Sequence, residues 1–243
     1  MAPDDLILSL RNICYSYGQS APVLKGLDFD LRPGQKVGVV GDNGSGKTTL
    51  LHLIVGLKKV VDGTVKVFGE EVSCEDDFRK VRQGVGLLFQ DADDQLFCPT
   101  VLEDVAFGPV NQGKSMEEAR TIAAQVLDDL GLKGFEERIT HHLSGGEKRL
   151  VALATVLAMS PRVLLLDEPT TGLDHDTKDR LTGILRRLEI AYVVVSHNYD
   201  FLGQVADSVY YMKDGQLMPS EDGAIHSHFH VHSFGGLPHQ HSP

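Results

Sequence analysis

The chain has 243 residues, which suits one large α/β domain with a subdomain inserted into it and leaves two independent domains cramped. A formal net charge of -11 argues against general affinity for nucleic acid or anionic lipid, because both require a positive field. The three cysteines, Cys14, Cys74 and Cys98, have no CxxC spacing, so they fit a reducing compartment and support neither a disulfide framework nor a metal site.

"MAPDDLILSLRN" lacks the basic segment and apolar run of a signal peptide and starts as a strand. "LILSLRNICYSY" and "VLKGLDFDLRPGQKVGVVG" carry short alternating or β-branched runs broken by Gly and Pro, predicting a strand-rich section that ends near residue 40. Within it, "KVGVV" is apolar on both faces, as a central parallel strand should be. "GDNGSGKT", residues 41–48, follows directly and leads into the helical pattern "KTTLLHLIVGL". A glycine-rich turn between a buried strand and a helix is the setting in which backbone N–H groups converge on phosphates. Lys47 adds a point charge there, and the Thr48 hydroxyl is a candidate Mg²⁺ ligand.

"DGTVKVFGEEV" predicts a further strand or hairpin, and "DDFRKVRQGVGLLFQ" a short helix followed by a buried strand that ends at Gln90. Between about residues 92 and 160 the pattern turns helical, and Ser115 with Glu118 has the spacing of a capping box. "LSGGE", residues 143–147, supplies a second such box through Ser144 and Glu147. Gly145 and Gly146 behind the serine also make an exposed helix start able to accept phosphate from elsewhere.

After residue 160, "RVLLLDEP", "AYVVVSH" and "SVYYMKDGQ" predict strands separated by one helix over residues 175–189. Asp167 and Glu168 stand at the carboxyl end of the first of these strands, where α/β sheets bind ligands, and His197 ends the second. An Asp there can hold magnesium through water while the adjacent Glu polarises an attacking water. No apolar run approaches the ~18 residues of a membrane span. "LVALATVLAM" reads as a buried helix, so work at a membrane would need a partner chain as anchor.

The last stretch, residues 226–243, holds six of the eleven histidines. His226, His228, His230 and His232 alternate with other residues, so an extended chain would put all four imidazoles on one side, a plausible chelate for Ni²⁺ or Co²⁺. A compositional tail with no metal role is the competing reading.

Taken in order, "GDNGSGKT", Gln90, "LSGGE", "LLLDEP", "GLD" and "SH" resemble the ATP-binding-cassette (ABC) ATPases from residue 6 to about 218. The resemblance implies an α/β fold: a phosphate-loop ATPase with a RecA-like core, an N-terminal antiparallel β subdomain and a helical subdomain inserted at about 92–160. Residues 1–218 would form this domain and 219–243 the histidine-rich tail. It further implies ATP and Mg²⁺ bound in a head-to-tail dimer, taken as two copies of this chain. Asn43, Gly44, Ser45, Gly46, Lys47, Thr48 and Thr49 of one subunit would face Ser144, Gly145 and Gly146 of the other. By the same resemblance Tyr17 stacks on adenine, with Tyr15 two positions away as its rival. Thr48, Gln90 and Asp167 hold magnesium, Asp174 communicates across the dimer, and Glu168, His197 and Gln90 form the catalytic set. Glu147 stands where these ATPases more often carry Gln.

"LLFQDADDQLFCPTVLEDVAFGPVN" looks like the energy-coupling-factor importers, in particular their cobalt and nickel ATPases. That likeness implies a peripheral motor subunit at the cytoplasmic face of the cell membrane, partnered by an integral-membrane scaffold and metal-binding membrane subunits, with no nucleic acid. A cytosolic ABC ATPase acting in translation, repair or cofactor assembly is the alternative.

Overall fold

In the computed structural model, which describes residues 6–220, the chain opens with β1 (Leu8–Tyr15), β2 (Leu24–Leu31) and β3 (Lys36–Gly41), then α1 (Lys47–Ile54). A hairpin of β4 (Asp62–Val67) and β5 (Glu70–Val72) follows, with α2 (Glu75–Gly84) and β6 (Val85–Leu88). Three helices come next: α3 (Val101–Asn111), α4 (Met116–Asp129) and α5 (Gly145–Leu157). The chain then returns to alternation through β7 (Val163–Asp167), α6 (His175–Arg187), β8 (Ala191–Val195), α7 (Tyr199–Val205), β9 (Ser208–Lys213) and β10 (Gln216–Pro219).

These strands form two sheets. β2-β1-β4-β5 is antiparallel throughout, whereas β9-β3-β8-β7-β6 is parallel and gains β10 as an antiparallel edge. β7 and β8 are buried at every position, which is why they read as unbroken apolar runs. The pleat nevertheless sorts their side chains. Leu164, Leu166, Tyr192 and Val194 face the core shared with α3, α4 and α5; Val163, Leu165, Val193 and Val195 face the core shared with α1 and the antiparallel sheet. One sheet thus holds together two layers that would otherwise each lack a partner surface.

Local signals set the helix starts. Thr100 with Glu103, Ser115 with Glu118, and Ser144 with Glu147 each form a reciprocal capping box at the head of α3, α4 and α5. The segment after β7 departs from expectation, since two helices rather than one separate the last strands. α7 has only seven residues, too few to show a helical period in sequence. Asn198 caps it through the Phe201 N–H at 2.9 Å, and burial of Phe201, Leu202 and Val205 holds it down.

Candidate functional site

Strand order, not sequence order, assembles the site. Because β3, β8, β7 and β6 lie side by side and parallel, the residues at their carboxyl ends share one edge. Gly41 with its following loop, His197, Asp167 with Glu168, and Gln90 therefore meet there although they span more than half the chain. Backbone bonds at the strand tips lock this edge: Glu168 N–H donates to Val195 O at 2.9 Å and Ser196 N–H to Val39 O at 3.2 Å.

The loop between β3 and α1 depends on glycine at defined places. Gly46, the N-cap of α1, has φ 109°, and a Cβ there would lie 2.8 Å from Leu24 Cδ2. Gly44 has φ 79° and open space where a side chain would be. No side chain caps α1, so its first N–H groups remain directed outward. Lys47 is buried, and its Nζ donates to Gly41 O at 2.7 Å and Asp42 O at 2.9 Å, leaving one of three N–H donors for a ligand. Burial holds its ammonium pKa below the ordinary value, against the raising pull of Glu168, Asp167 and Asp42.

Whether these residues fit a triphosphate and its magnesium can be judged from unmet hydrogen bonds. Five buried side-chain polar atoms lack a partner among the described residues, and three of them, Ser45 Oγ, Asp167 Oδ1 and Glu168 Oε1, belong to this edge. The two carboxylate oxygens suit a hydrated divalent cation, and the Ser45 hydroxyl can donate to a phosphate oxygen. Thr48 is half-buried in the first turn of α1, directly after the loop that carries Ser45. Asn43 is exposed on that loop.

Glu168 is the residue under greatest constraint. It has φ 46°, a left-handed conformation that costs a non-glycine residue on the order of 1–3 kcal/mol and that clusters at functional sites. Thr171 Oγ1 donates to its Oε2 at 3.2 Å. His197 Nε2 lies 3.3 Å from its Oε1, within ion-pair reach but not aligned as a hydrogen bond, which leaves that oxygen available to a water. A cleft of about 610 Å³ opens here, lined by Glu168, Thr171, Gly172, His197 and Tyr199 among others.

Burial separates the two tyrosines. Tyr15 is 9% exposed and packs edge-on against Tyr17 at 5.0 Å, whereas Tyr17 is 45% exposed. The Tyr17 hydroxyl bonds Thr49 Oγ1 at 2.8 Å and Lys58 Nζ stands 5.2 Å from its ring centroid. Of these two, Tyr17 is therefore the one with an exposed ring.

Ser144, Gly145 and Gly146 form a separate helix start. No hydrogen bond joins residues 144–147 to residues 41–49 among the described residues. Gly145 has nothing within 4 Å of a Cβ, while a Cβ on Gly146 would meet Thr177 Oγ1 at 3.0 Å. Asp174 caps α6 through Thr177, with its Oδ1 2.9 Å from the Thr177 N–H, so these two helix starts adjoin.

Two arginines that matter to this geometry were not singled out from sequence. Arg149 is buried and donates to Phe89 O at 2.6 Å and Gln90 O at 2.5 Å, tying α5 to the Gln90 loop. The available signal was its position three residues before Ala152 and seven before Val156, on the apolar face of α5. Arg138 donates to Glu147 Oε1 at 2.7 Å and lies outside any periodic segment, so no sequence pattern marks it. The four histidines His226, His228, His230 and His232 lie outside the described residues.

The family model described as ABC transporter matches residues 24–171. The energy-coupling factor transporter ATP-binding protein EcfA of Methanothermobacter thermautotrophicus is 44% identical over 87% of this chain and 70% of its own. Among solved structures, cbiO1 from Clostridium perfringens, part of the ABC transporter complex cbiONQ, superposes with a TM-score of 0.78 at 33% identity, covering 88% of this chain and 87% of that one. A dimeric ATP-binding cassette in a post-hydrolysis state with ADP and Pi bound reaches a TM-score of 0.80 at 28% identity, covering 88% and 97%.

Proposed function

The chain belongs to the ABC transporter family, and on that premise we propose that it is the ATP-hydrolysing motor of an energy-coupling-factor importer for nickel or cobalt ions. The observation that carries the ATPase reading is the convergence of Lys47 with the unpartnered Ser45 Oγ, Asp167 Oδ1 and Glu168 Oε1 on one sheet edge. Asn43 to Thr49 hold the phosphates through backbone N–H groups, hydroxyls and the Lys47 ammonium, and Tyr17 stacks on the base. Thr48, Asp167 and Gln90 would hold magnesium, which would supply charge neutralisation for the phosphates. Glu168 takes a proton from the attacking water, with its carboxylate oriented by Thr171 and flanked by His197. Ser144, Gly145 and Gly146 of a second copy close over the nucleotide, with Asp174 beside them.

The importer reading requires a membrane partner, and one surface feature suits it. No helix among the described residues is long and apolar enough to cross a membrane. Phe97 and Phe107, 62% and 45% exposed, stack edge-to-face at 4.8 Å on the segment that follows Gln90, an apolar pair suited to docking a scaffold at the cytoplasmic face. The metal specificity rests on the likeness of residues 87–111 to cobalt and nickel ATPases. In this reading His226, His228, His230 and His232 collect the metal ion beside the complex.

Glu168→Gln tests the ATPase reading. Turnover should fall about 10³-fold, within the usual range for loss of a general base, while ATP binding and an ATP-dependent dimer persist. Residual turnover above a tenth of the parent's would sink the assigned role. Transport specificity is read separately, from uptake of labelled nickel and cobalt by cells carrying the full chain or the chain ending at residue 225.

A further inference from the structure

We propose that Arg138 is a positioning residue for the phosphate-accepting start of α5, neutralising Glu147 so that the Ser144–Gly146 turn can receive a nucleoside triphosphate held by a second copy of this chain. The inference rests on the dimer reading above.

A carboxylate in the first turn of a helix competes with any anion the same helix start is meant to accept. Both are drawn to the same outward N–H groups, and unscreened they repel each other. The structure folds the Glu147 carboxylate away from that conflict. Its Oε2 accepts the Ser144 N–H at 2.8 Å and its Oε1 accepts Arg138 Nη1 at 2.7 Å, so both oxygens are engaged and the charge is matched. Burial of the carboxylate is partial, and its pKa is held down first by the Arg138 hydrogen bond and then by the Ser144 N–H.

Arg138 is itself held in place. Its guanidinium lies 4.1 Å from the centroid of the Phe135 ring, its N–H donates to Phe135 O at 2.8 Å, and its carbonyl accepts the Val101 N–H at 3.1 Å. The arginine is thus fixed to the start of α3 and to its own turn before it reaches Glu147. Its side chain is 39% exposed and that of Glu147 30%, so in the isolated chain the pair adds little to stability. Covering this surface with a second subunit and its nucleotide removes the solvent that screens the pair, and the cost of an unmatched Glu147 then rises.

That difference sets the experiment. ATP-dependent dimerisation is measured by analytical ultracentrifugation in Glu168→Gln chains, and KM, kcat and Tm in otherwise unaltered chains, for Arg138→Ala, Arg138→Lys, Glu147→Gln and the Arg138→Ala/Glu147→Gln double variant. Arg138→Ala should weaken the ATP-dependent dimer and raise KM by about 10-fold, with kcat at saturating ATP and Tm little changed. In the Glu147→Gln background the same replacement should cost less than about 2-fold, because the carboxylate it neutralised is gone. Arg138→Lys should fall between, keeping the charge without the stacked planar fork. Equal losses in the two backgrounds, or no loss in the parent background, would overturn the inference. Failure of the Glu168→Gln parent to dimerise with ATP would instead overturn the dimer reading, and the inference with it.

Discussion

The starts of α1 and α5 are both glycine-bearing helix N-termini, yet they solve the same electrostatic problem in opposite ways. α1 begins at Gly46 with no side-chain cap, a buried lysine beside it and the unpartnered Ser45 hydroxyl one residue earlier. α5 begins at Ser144 with a complete capping box and an arginine on its glutamate. A helix start that must hold its ligand tightly leaves its donors unmet and relies on the surrounding fold to hold it in shape. Under the proposed dimer reading, α5 meets its ligand only on association, and its complete capping box lets it be stable alone.

Lys47→Ala should produce the largest effect on this contrast. Loss of a buried, charge-assisted donor to phosphate should weaken ATP binding by roughly 100-fold or more, as read by nucleotide titration, with a much smaller effect on Tm. Retained ATP affinity would place the nucleotide away from α1.

A matched glycine pair sharpens the comparison. Gly46→Ala forces a left-handed φ and a 2.8 Å contact with Leu24, and should destabilise the fold by about 2–4 kcal/mol in urea titrations. Gly145→Ala meets open space in a helical conformation and should raise stability by about 0.5–1 kcal/mol. The same Gly145→Ala change should weaken ATP-dependent dimerisation, since the new methyl group stands where a second subunit's phosphate would come. A destabilised Gly145→Ala chain would remove the distinction between the two helix starts.

The smallest expected effect is on pH dependence. The Glu147 carboxyl titrates below its ordinary value in the folded chain because of Arg138 and the Ser144 N–H. Its contribution is therefore fully present above the unfolded glutamate pKa, about 4.3, and is lost as pH falls through the depressed folded value. Urea midpoints of the parent and of Glu147→Gln should differ at pH 7 and converge once the pH has fallen below that depressed folded value. A difference that persists in acid would show that the carboxylate charge is not what stabilises this turn.

Much of the site was legible in the sequence because its signals are local. The glycines and lysine of "GDNGSGKT", the serine and glutamate of "LSGGE" and the acids ending "VLLLDEP" act through bonds to near neighbours or through their place at a strand end. Capping boxes at Ser115 and Ser144 span three residues, and their geometry is as the spacing predicted. α7 escaped notice because under two turns carry no measurable period, and its stability comes from what Phe201 and Leu202 pack against. Arg149 and Arg138 escaped notice because their partners lie 60, 59 and 9 residues away.

By itself, then, the sequence determined most of the elements, the helix caps and the glycine-lysine loop after β3, since backbone geometry and short-range hydrogen bonds depend on residues a few positions apart. Tertiary structure alone decided which of Tyr15 and Tyr17 is presented, why Glu168 sits at φ 46°, and that Gly41, Gln90, Asp167 and His197 share one edge. The shared edge follows from the pairing order β3-β8-β7-β6, which is set by burial of both faces of the sheet and by crossovers between distant segments, whereas Tyr15 is buried by its place on β1 in the other sheet.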